Sequence, residues 1–346
     1  MNRICFILFI PIVFLSCQRE VITISTKAND IFYLENKGAA MRVEVDGNTA
    51  SKIFLVIVHG GPGVPCMIYN TDFISQNLEN QLAIVFWDQR NAGASQGGMN
   101  GKYLHLDQYV DDLRKLIELV KYRYGKDLRI YLVGHSWGGL VTSAFLTQGN
   151  NQSMVRGWIC VDGSHNYPLN DTLTHNKLLA YGQWQTTLGK NTDQWKEIVQ
   201  YCTAHNAPFS FDESMQMEDY ATTAETLIDS VKQLDMMKLF WHYALSQKSP
   251  VTADGMNYLY SSNADLNKEI STVGFSMLLY KVTVPSLLLY GKYDFICPEG
   301  LADDILAHIG SSYVKKVISP VSGHNLMFQD GKLFVSEVVD FVNANP

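Results

Sequence analysis

The chain has 346 residues, a formal net charge of −7 and 47% apolar side chains. Such a chain is too apolar to be disordered, it lacks the clustered positive charge that a nucleic-acid partner needs, and its six cysteines are too few for a disulfide scaffold. The length exceeds the usual size of one domain and predicts either two domains or one domain with an insertion.

The first segment is predicted to be an export signal. Arg3 supplies a positive charge, and Ile4–Leu15 is an apolar run of 12 residues, typical of a secretory signal. A transmembrane helix would need about 20. Ser16 and Cys17 then resemble the end of a bacterial lipoprotein signal, in which the cysteine is acylated and becomes the mature N-terminus. Phe14 stands where that signal usually has Leu, so an ordinary signal peptide with an incidental Cys17 is the alternative. Both interpretations predict an exported protein. The lipoprotein interpretation adds a membrane anchor on the periplasmic or cell-surface side.

Four cysteines follow Cys17, namely Cys66, Cys160, Cys202 and Cys297. Four cysteines allow three disulfide pairings, and the sequence does not choose among them. Because no C-x-x-C spacing occurs, neither a metal centre nor a redox pair is expected. The sequence implies no organic cofactor.

Five apolar runs have the character of buried strands, since each is rich in β-branched or aromatic residues and bounded by Gly, Asp or Pro. The runs are Ile53–Val58, Ala83–Trp87, Ile130–Val133, Trp158–Val161 and Leu287–Tyr290. Their continuous apolarity indicates strands covered on both faces, as in a parallel sheet flanked by helices. Val21–Ile24 and Met41–Val45 predict additional antiparallel edge strands. A helical apolar period from Tyr109 to Tyr124 lies between two of the runs, so the fold class is predicted to be α/β.

The last two of these runs are separated by 125 residues, which is too long for one crossover connection. An inserted helical cap is therefore expected. Its helical apolar patterns are Leu178–Leu188, Gln194–Ala204 and Ala224–Leu245. The predicted organisation is an export signal at 1–16, a first part of the core at 17–163, the cap at 164–275 and a second part of the core at 276–346.

The run that ends at Val133 is followed by Gly134-His135-Ser136-Trp137-Gly138, which is G-x-S-x-G between a strand and a helix. Glycines at these positions leave room for a sharp turn. The turn exposes the Ser136 hydroxyl and points the first amides of the helix, including Trp137 N–H, at the place where an oxyanion would form. Ser136 is the predicted nucleophile.

Two further motifs follow the preceding runs. They are His59-Gly60-Gly61-Pro62-Gly63 and Asp88-Gln89-Arg90-Asn91-Ala92-Gly93-Ala94-Ser95. With the serine motif, they resemble the α/β-hydrolase superfamily, and within it most closely the proline iminopeptidase group. The resemblance implies an α/β-hydrolase fold, with a mostly parallel sheet, flanking helices and an inserted helical cap, and it implies that Gly61 N–H is the second oxyanion donor. Asn91 replaces a family glycine and is expected to tolerate a positive φ. His59 is predicted to be a buried, hydrogen-bonded structural residue.

The acid and the base are expected in the chain order Ser, Asp, His. Asp294 and His324 each follow a strand-like run. In this assignment His324 takes the Ser136 proton and Asp294 orients the imidazole. The rivals are Asp162 with His165 as an acid–base pair, and His308 as the base.

The resemblance implies a serine hydrolase that forms an acyl-enzyme and releases N-terminal residues from small peptides. In the proline iminopeptidase group, cap carboxylates hold the ammonium of the substrate. The cap candidates in this chain are Glu197, Glu213, Glu218, Asp219 and Glu225. The cap aromatic and methionine side chains are expected mainly to pack: Trp184, Trp195, Met215, Met217, Met236, Met237 and Trp241.

The alternatives are an esterase or lactonase acting on small apolar acyl groups, and a non-catalytic binding protein on the same scaffold. The predicted partners are therefore a small-molecule or short-peptide substrate and a membrane reached through the lipid.

Overall fold

The computed structural model describes residues 28–97, 101–234 and 264–346. Several predicted features lie outside the described residues. They are the export signal at 1–16, Cys17, the strand at Val21–Ile24, residues 235–245 of the helix predicted at Ala224–Leu245, and the cap residues Met236, Met237 and Trp241. In the described part of that prediction the helix ends at Thr226, so the expectation of helix at 227–234 is wrong.

The centre of the fold is an eight-stranded sheet with the order β1-β2-β4-β3-β5-β6-β7-β8. The strands are β1 (Ala28–Asn36), β2 (Ala39–Gly47), β3 (Ile53–Val58), β4 (Ala83–Trp87), β5 (Arg129–His135), β6 (Gly157–Val161), β7 (Ser286–Gly291) and β8 (Val314–Ser319). The β1–β2 and β2–β4 pairings are antiparallel, and the other pairings are parallel. The predicted fold class, α/β with a mostly parallel sheet, is confirmed.

The central strands are apolar throughout because each face of the sheet is covered. Along β3, Phe54, Val56 and Val58 belong to one buried cluster. Leu55 and Ile57, which alternate with them, belong to the cluster on the opposite face. A strand with side chains in two cores shows no polar alternation, which explains the continuous apolar pattern of the sequence.

Helices cover the sheet on both faces. The core helices are α1 (Asp72–Leu78), α2 (Leu106–Tyr124), α3 (Trp137–Thr147), α7 (Ala264–Ile270), α8 (Gly300–His308), α9 (Leu326–Gln329) and α10 (Gly331–Ala344). Helices α2, α3 and α8 pack on one face, and α1, α9 and α10 pack on the other. Among the helices of the described residues, none combines the length and the apolarity that crossing a bilayer requires.

Between β6 and β7 the chain leaves the sheet, and three of the helices that the structure describes there share a core of their own. They are α4 (Tyr167–Leu188), α5 (Thr192–Ala204) and α6 (Phe211–Thr226). Leu178, Trp195 and Ile198 lie in this cap core, and Phe295 from the loop after β7 lies there too. Leu266 and Ile270 of α7 instead join the main core. The cap helices thus rest on the loop that carries Asp294.

Candidate active site

Ser136 occupies a sharp turn between β5 and α3. Its backbone has φ 54° and ψ −122°, a conformation that residues with a side chain rarely adopt and that is typical of functional sites. A Cβ atom on Gly138 would lie 1.9 Å from the carbonyl oxygen of Val58, and one on Gly134 would lie 2.5 Å from Thr142 Oγ1. Both glycines of the motif are therefore required by close packing of α3 against the sheet.

The structure brings the three predicted catalytic residues together. Nε2 of His324 lies 2.9 Å from Oγ of Ser136. Nδ1 of the same ring lies 3.0 Å from Oδ2 of Asp294. This chain of hydrogen bonds joins a hydroxyl, an imidazole and a carboxylate, which is the arrangement that activates a serine nucleophile.

Asp294 is fully buried at the end of β7, and its carboxylate is fixed by the loop that follows. Its Oδ1 accepts hydrogen bonds from the backbone N–H groups of Ile296, at 2.8 Å, and Cys297, at 2.7 Å. Burial raises the pKa of Asp294, and these amides oppose the rise by stabilising the ionised form. With Oδ1 occupied, Oδ2 is directed at His324.

The rival acid and bases are engaged elsewhere. The carboxylate of Asp162 accepts hydrogen bonds from the backbone N–H groups of Gly291, at 2.8 Å, and Leu326, at 2.9 Å, so it ties the end of β7 to the start of α9. The remaining rivals, His165 and His308, both bond to Asp304. Nε2 of His165 lies 2.6 Å from its carboxylate, and Nδ1 of His308 lies 2.8 Å from its backbone carbonyl oxygen.

On the other side of Ser136, the loops after β3 and β4 are fastened to the start of α3. The indole N–H of Trp137 donates to Oε1 of Gln89 at 2.9 Å. The backbone N–H of Gln89 donates to Nε2 of His59 at 3.1 Å, and Nδ1 of His59 lies 2.7 Å from the carbonyl oxygen of Gly60. Burial lowers the pKa of His59 to about 4, so the ring is neutral and structural, as the sequence predicts. Gly61, the next residue, lines the cavity beside Ser136.

The loop after β4 is held by buried polar contacts. The Asp88 carboxylate accepts from the backbone N–H groups of Cys66, at 2.7 Å, and Ala94, at 2.9 Å. Asn91 has φ 58°, the left-handed conformation expected for a residue in place of glycine. Arg90 makes a buried two-pronged ion pair with Asp112 of α2, with distances of 2.6 and 2.9 Å. The loop beside the site is therefore rigidly attached to the core.

A cavity of about 410 Å³ lies beside Ser136 and Gly61, and the cap forms much of its wall. Asp171 of α4 and Glu218 of α6 both line it. The surrounding protein raises the pKa of each carboxyl group by limiting its solvation. Asp171 accepts a hydrogen bond from the Ser214 hydroxyl at 2.5 Å. Two acidic side chains thus share one cavity with the serine.

The same cavity has neutral polar and apolar walls. Oγ of Ser164 and Oδ1 of Asn170 have no hydrogen-bond partner within the described ranges, although both residues are buried and line the cavity. Met215 and Met217 of α6 line it as well, so these two methionines do more than pack within the cap. The two cap tryptophans named from the sequence that the structure describes differ in exposure: Trp195 is buried and Trp184 is exposed.

The remaining cap carboxylates predicted from the sequence take other roles. Glu213 forms a capping box with Ser210 at the start of α6. Glu197 accepts from the Tyr220 hydroxyl at 3.2 Å on the exposed side of the cap, and Asp219 is exposed. Glu225 is buried against the backbone of His324. Asp171 was not predicted, and the signal that could have revealed it is the polar first half of α4.

All four described cysteines are buried free thiols. The sequence left three disulfide pairings open, and none of them forms among these residues. Cys297 lines the cavity and, through its backbone amide, contacts Asp294. Burial raises its pKa well above the usual value of a thiol, which disfavours the reactive thiolate.

Comparison with known proteins finds relatives across most of the chain. A family model described as alpha/beta hydrolase fold matches residues 53–331. A proline iminopeptidase of Saccharolobus solfataricus is 23% identical over 293 residues, which are 84% of each protein. A probable aminopeptidase of Bacillus subtilis is 28% identical over 105 residues, and this match covers 30% of the chain and 32% of that protein.

Solved structures with the same architecture include peptidases and esterases. A proline iminopeptidase of Mycobacterium smegmatis has a TM-score of 0.63 at 14% identity, covering 91% of this chain and 98% of that one. An esterase of Rhodococcus has a TM-score of 0.59 at 17% identity, and the match covers 93% of this chain and 100% of that one. At these identities the similarity demonstrates a shared fold.

Proposed function

The chain belongs to the α/β-hydrolase fold family, and we propose that it is a serine hydrolase with Ser136 as its nucleophile. The observation that carries the proposal is the hydrogen-bond chain from Ser136 Oγ through His324 to Asp294, with distances of 2.9 and 3.0 Å. A binding protein on the same scaffold would not need all three side chains in this alignment.

The proposed reaction is acyl transfer to water. His324 Nε2 accepts the Ser136 proton while Oγ bonds to the carbonyl carbon of the substrate, and the backbone N–H groups of Gly61 and Trp137 hold the resulting oxyanion. His324 then passes the proton to the leaving group as the carbon–leaving-group bond breaks. Water attacks the acyl-enzyme with His324 again as base, and the returned proton frees Ser136. Asp294 keeps the imidazole in the required tautomer throughout.

Within this reaction, the proposed activity is that of an aminopeptidase of the proline iminopeptidase type. Asp171 and Glu218 line the cavity that contains Ser136, so an N-terminal ammonium group would meet two carboxylates there. The acceptor atoms of Ser164 and Asn170 offer it further hydrogen bonds. The iminopeptidase relatives, similar over most of their length, favour the same substrate class.

An esterase or lactonase is the second candidate. The observation that favours it is the apolar part of the cavity wall, which includes Met215, Met217 and Ile270 and suits a short acyl chain. The esterase of similar fold is compatible with this activity.

The two candidates separate on a pair of substrates, prolyl-naphthylamide and p-nitrophenyl butyrate. The peptidase proposal predicts turnover of the amide that disappears in Ser136→Ala, with a loss of several orders of magnitude in kcat. Good turnover of the ester without turnover of any N-terminal aminoacyl amide would instead establish the esterase. Unchanged turnover in Ser136→Ala would refute the nucleophile.

We also propose that the protein is exported and anchored to a bacterial membrane by acylation of Cys17. The support is the sequence pattern of Arg3, the apolar run Ile4–Leu15 and the Ser16-Cys17 pair. Mass spectrometry of the mature N-terminus tests this directly. A diacylated or triacylated Cys17 is expected, whereas an unmodified terminus elsewhere would contradict the anchor.

A further inference from the structure

Glu225 lies near the end of cap helix α6, yet its carboxylate bonds to the core rather than to the cavity. Its Oε1 accepts from the backbone N–H of His324 at 3.1 Å and from that of Phe295 at 3.2 Å. Its Oε2 accepts from His324 N–H at 3.2 Å. Phe295 directly follows Asp294, so one carboxylate holds the loop of the acid and the loop of the base at the same time.

The fit around this carboxylate is close. A Cβ atom on Gly323 would lie 2.4 Å from Oε2 of Glu225, so the loop before His324 has room for the carboxylate only because it carries glycine there. The Glu225 residue is 8% exposed. If the carboxylate were removed, two buried N–H groups would lose their acceptor, which is a costly change in a protein interior.

The same loop is attached to the cap a second time. The ring of Phe295 lies in the cap core, 5.2 Å from the Tyr181 ring and 6.3 Å from the Trp195 ring, measured between centroids. Glu225 and Phe295 together make the position of the Asp294 loop depend on the cap. Glu225 differs in this from Asp171 and Glu218, which line the cavity.

We infer that Glu225 is a positioning residue: by accepting from the amides of Phe295 and His324, it keeps Asp294 and His324 aligned with Ser136 and couples that alignment to the cap. The inference rests on the proposed serine hydrolase activity. It assigns Glu225 no contact with substrate, so its effect falls on the chemical step and is independent of an amine on the substrate.

The test compares Glu225→Ala and Glu225→Gln with the wild type on p-nitrophenyl butyrate, which has no amine. Because misplacement by about 1 Å can cost about 100-fold in rate, Glu225→Ala should lower kcat about 100-fold while KM stays within about twofold. Glu225→Gln keeps one acceptor oxygen but replaces the other with an N–H donor facing the same amides, so kcat should fall by less, about tenfold. Glu213→Ala, which weakens the start of the same helix, is the matched control and should retain kcat.

A fluorophosphonate probe separates this inference from the proposed function, since it reports the reactivity of Ser136 without any acyl substrate. Labelling should slow in parallel with kcat in both Glu225 variants. Wild-type protein that neither hydrolyses the ester nor labels would overturn the serine hydrolase and this inference together. A reactive wild type matched in labelling rate by Glu225→Gln would overturn the inference alone. The comparison of Glu225→Gln with the wild type remains decisive if Glu225→Ala does not fold. An effect on KM alone, restricted to amine-bearing substrates, would also overturn it.

Discussion

At the scale of single residues, the hydrogen bond between Asp294 and His324 is decisive for the proposed chemistry. Asp294→Asn keeps the shape of the side chain but presents an N–H or a neutral oxygen to the imidazole, which favours the wrong tautomer. We expect kcat to fall about 10⁴-fold with little change in KM, as in other triads of this type. Steady-state kinetics on the preferred substrate measure both constants.

The control for this prediction is His308→Gln, which alters the rival base on α8. Its bond to the carbonyl oxygen of Asp304 places it outside the chain of Ser136, His324 and Asp294, so activity should remain near that of the wild type. If His308→Gln lost as much activity as His324→Gln, the assignment of the base would be wrong.

The two cavity carboxylates lead to a prediction about substrate binding. Glu218→Gln and Asp171→Asn should each raise KM for prolyl-naphthylamide about 10- to 100-fold, since a hydrogen bond between charged groups contributes about 1.5–3 kcal/mol. KM for p-nitrophenyl butyrate should not change. Glu197→Gln, on the exposed side of the cap, is the matched control. An equal effect on both substrates would contradict ammonium recognition.

These carboxylates also predict how binding depends on pH. The surrounding protein raises the pKa of both groups, so they lose their charge at a higher pH than ordinary carboxyl groups do. KM for the amine-bearing substrate should therefore rise as the pH falls through the raised pKa values, while the ester shows no such limb.

At the scale of elements, the sequence predicted most clearly the strands that are buried on both of their faces. The central strands appeared as continuous apolar runs, but β1 (Ala28–Asn36) was not predicted because it is an edge strand with Ile31 and Tyr33 exposed. Helix α4 was predicted to begin at Leu178, and it begins at Tyr167. Its first half carries Asn170 and Asp171 toward the cavity, so the usual apolar period is absent there.

The ion pair between Arg90 and Asp112 attaches the loop after β4 to α2, and its contribution to the free energy of unfolding can be predicted. Arg90→Met would leave the Asp112 carboxylate buried without its cation, which typically costs about 3–5 kcal/mol. The free energy of unfolding in urea should fall by that amount. Arg123→Met removes a similar two-pronged pair with Asp30 at the surface, where solvent screens the charges, and should cost much less. Equal losses in the two variants would show that burial does not set the strength of the pair.

At the scale of the whole molecule, the site is assembled from segments that are distant in the chain. Ser136, Asp294 and His324 could be predicted because each follows a strand, and the carboxyl ends of parallel strands meet at one edge of a sheet. The partners of Glu225 are backbone amides, which every residue has, so no sequence pattern marks them. Likewise, Asp171 and Glu218 meet only because α4 and α6 pack around one cavity. The positions of these carboxylates therefore depend on how the cap packs on the core, which local sequence patterns do not show.

The buried carboxyl group between cap and core predicts how the stability of the molecule varies with pH. Burial, reinforced by the negative charge of Asp294, raises the pKa of Glu225 from 4.5 to about 8. A carboxyl group with a raised pKa in the folded state binds its proton more tightly there than in the unfolded chain. Its favourable contribution is complete below about pH 4.5 and is lost progressively as the pH rises to about 8.

Glu225→Gln cannot ionise, so its free energy of unfolding should increase relative to that of the wild type as the pH is raised from 4.5 to about 8 and then level off. Urea unfolding of both proteins across this range measures the difference, in which the contributions of acids that do not interact with Glu225 cancel. Glu213→Gln is the control on the same helix. Its carboxyl group has a lowered pKa because Ser210 donates to it, so its contribution to stability is lost as the pH falls. A constant difference between wild type and Glu225→Gln would mean that Glu225 ionises in the folded protein as easily as in the unfolded chain.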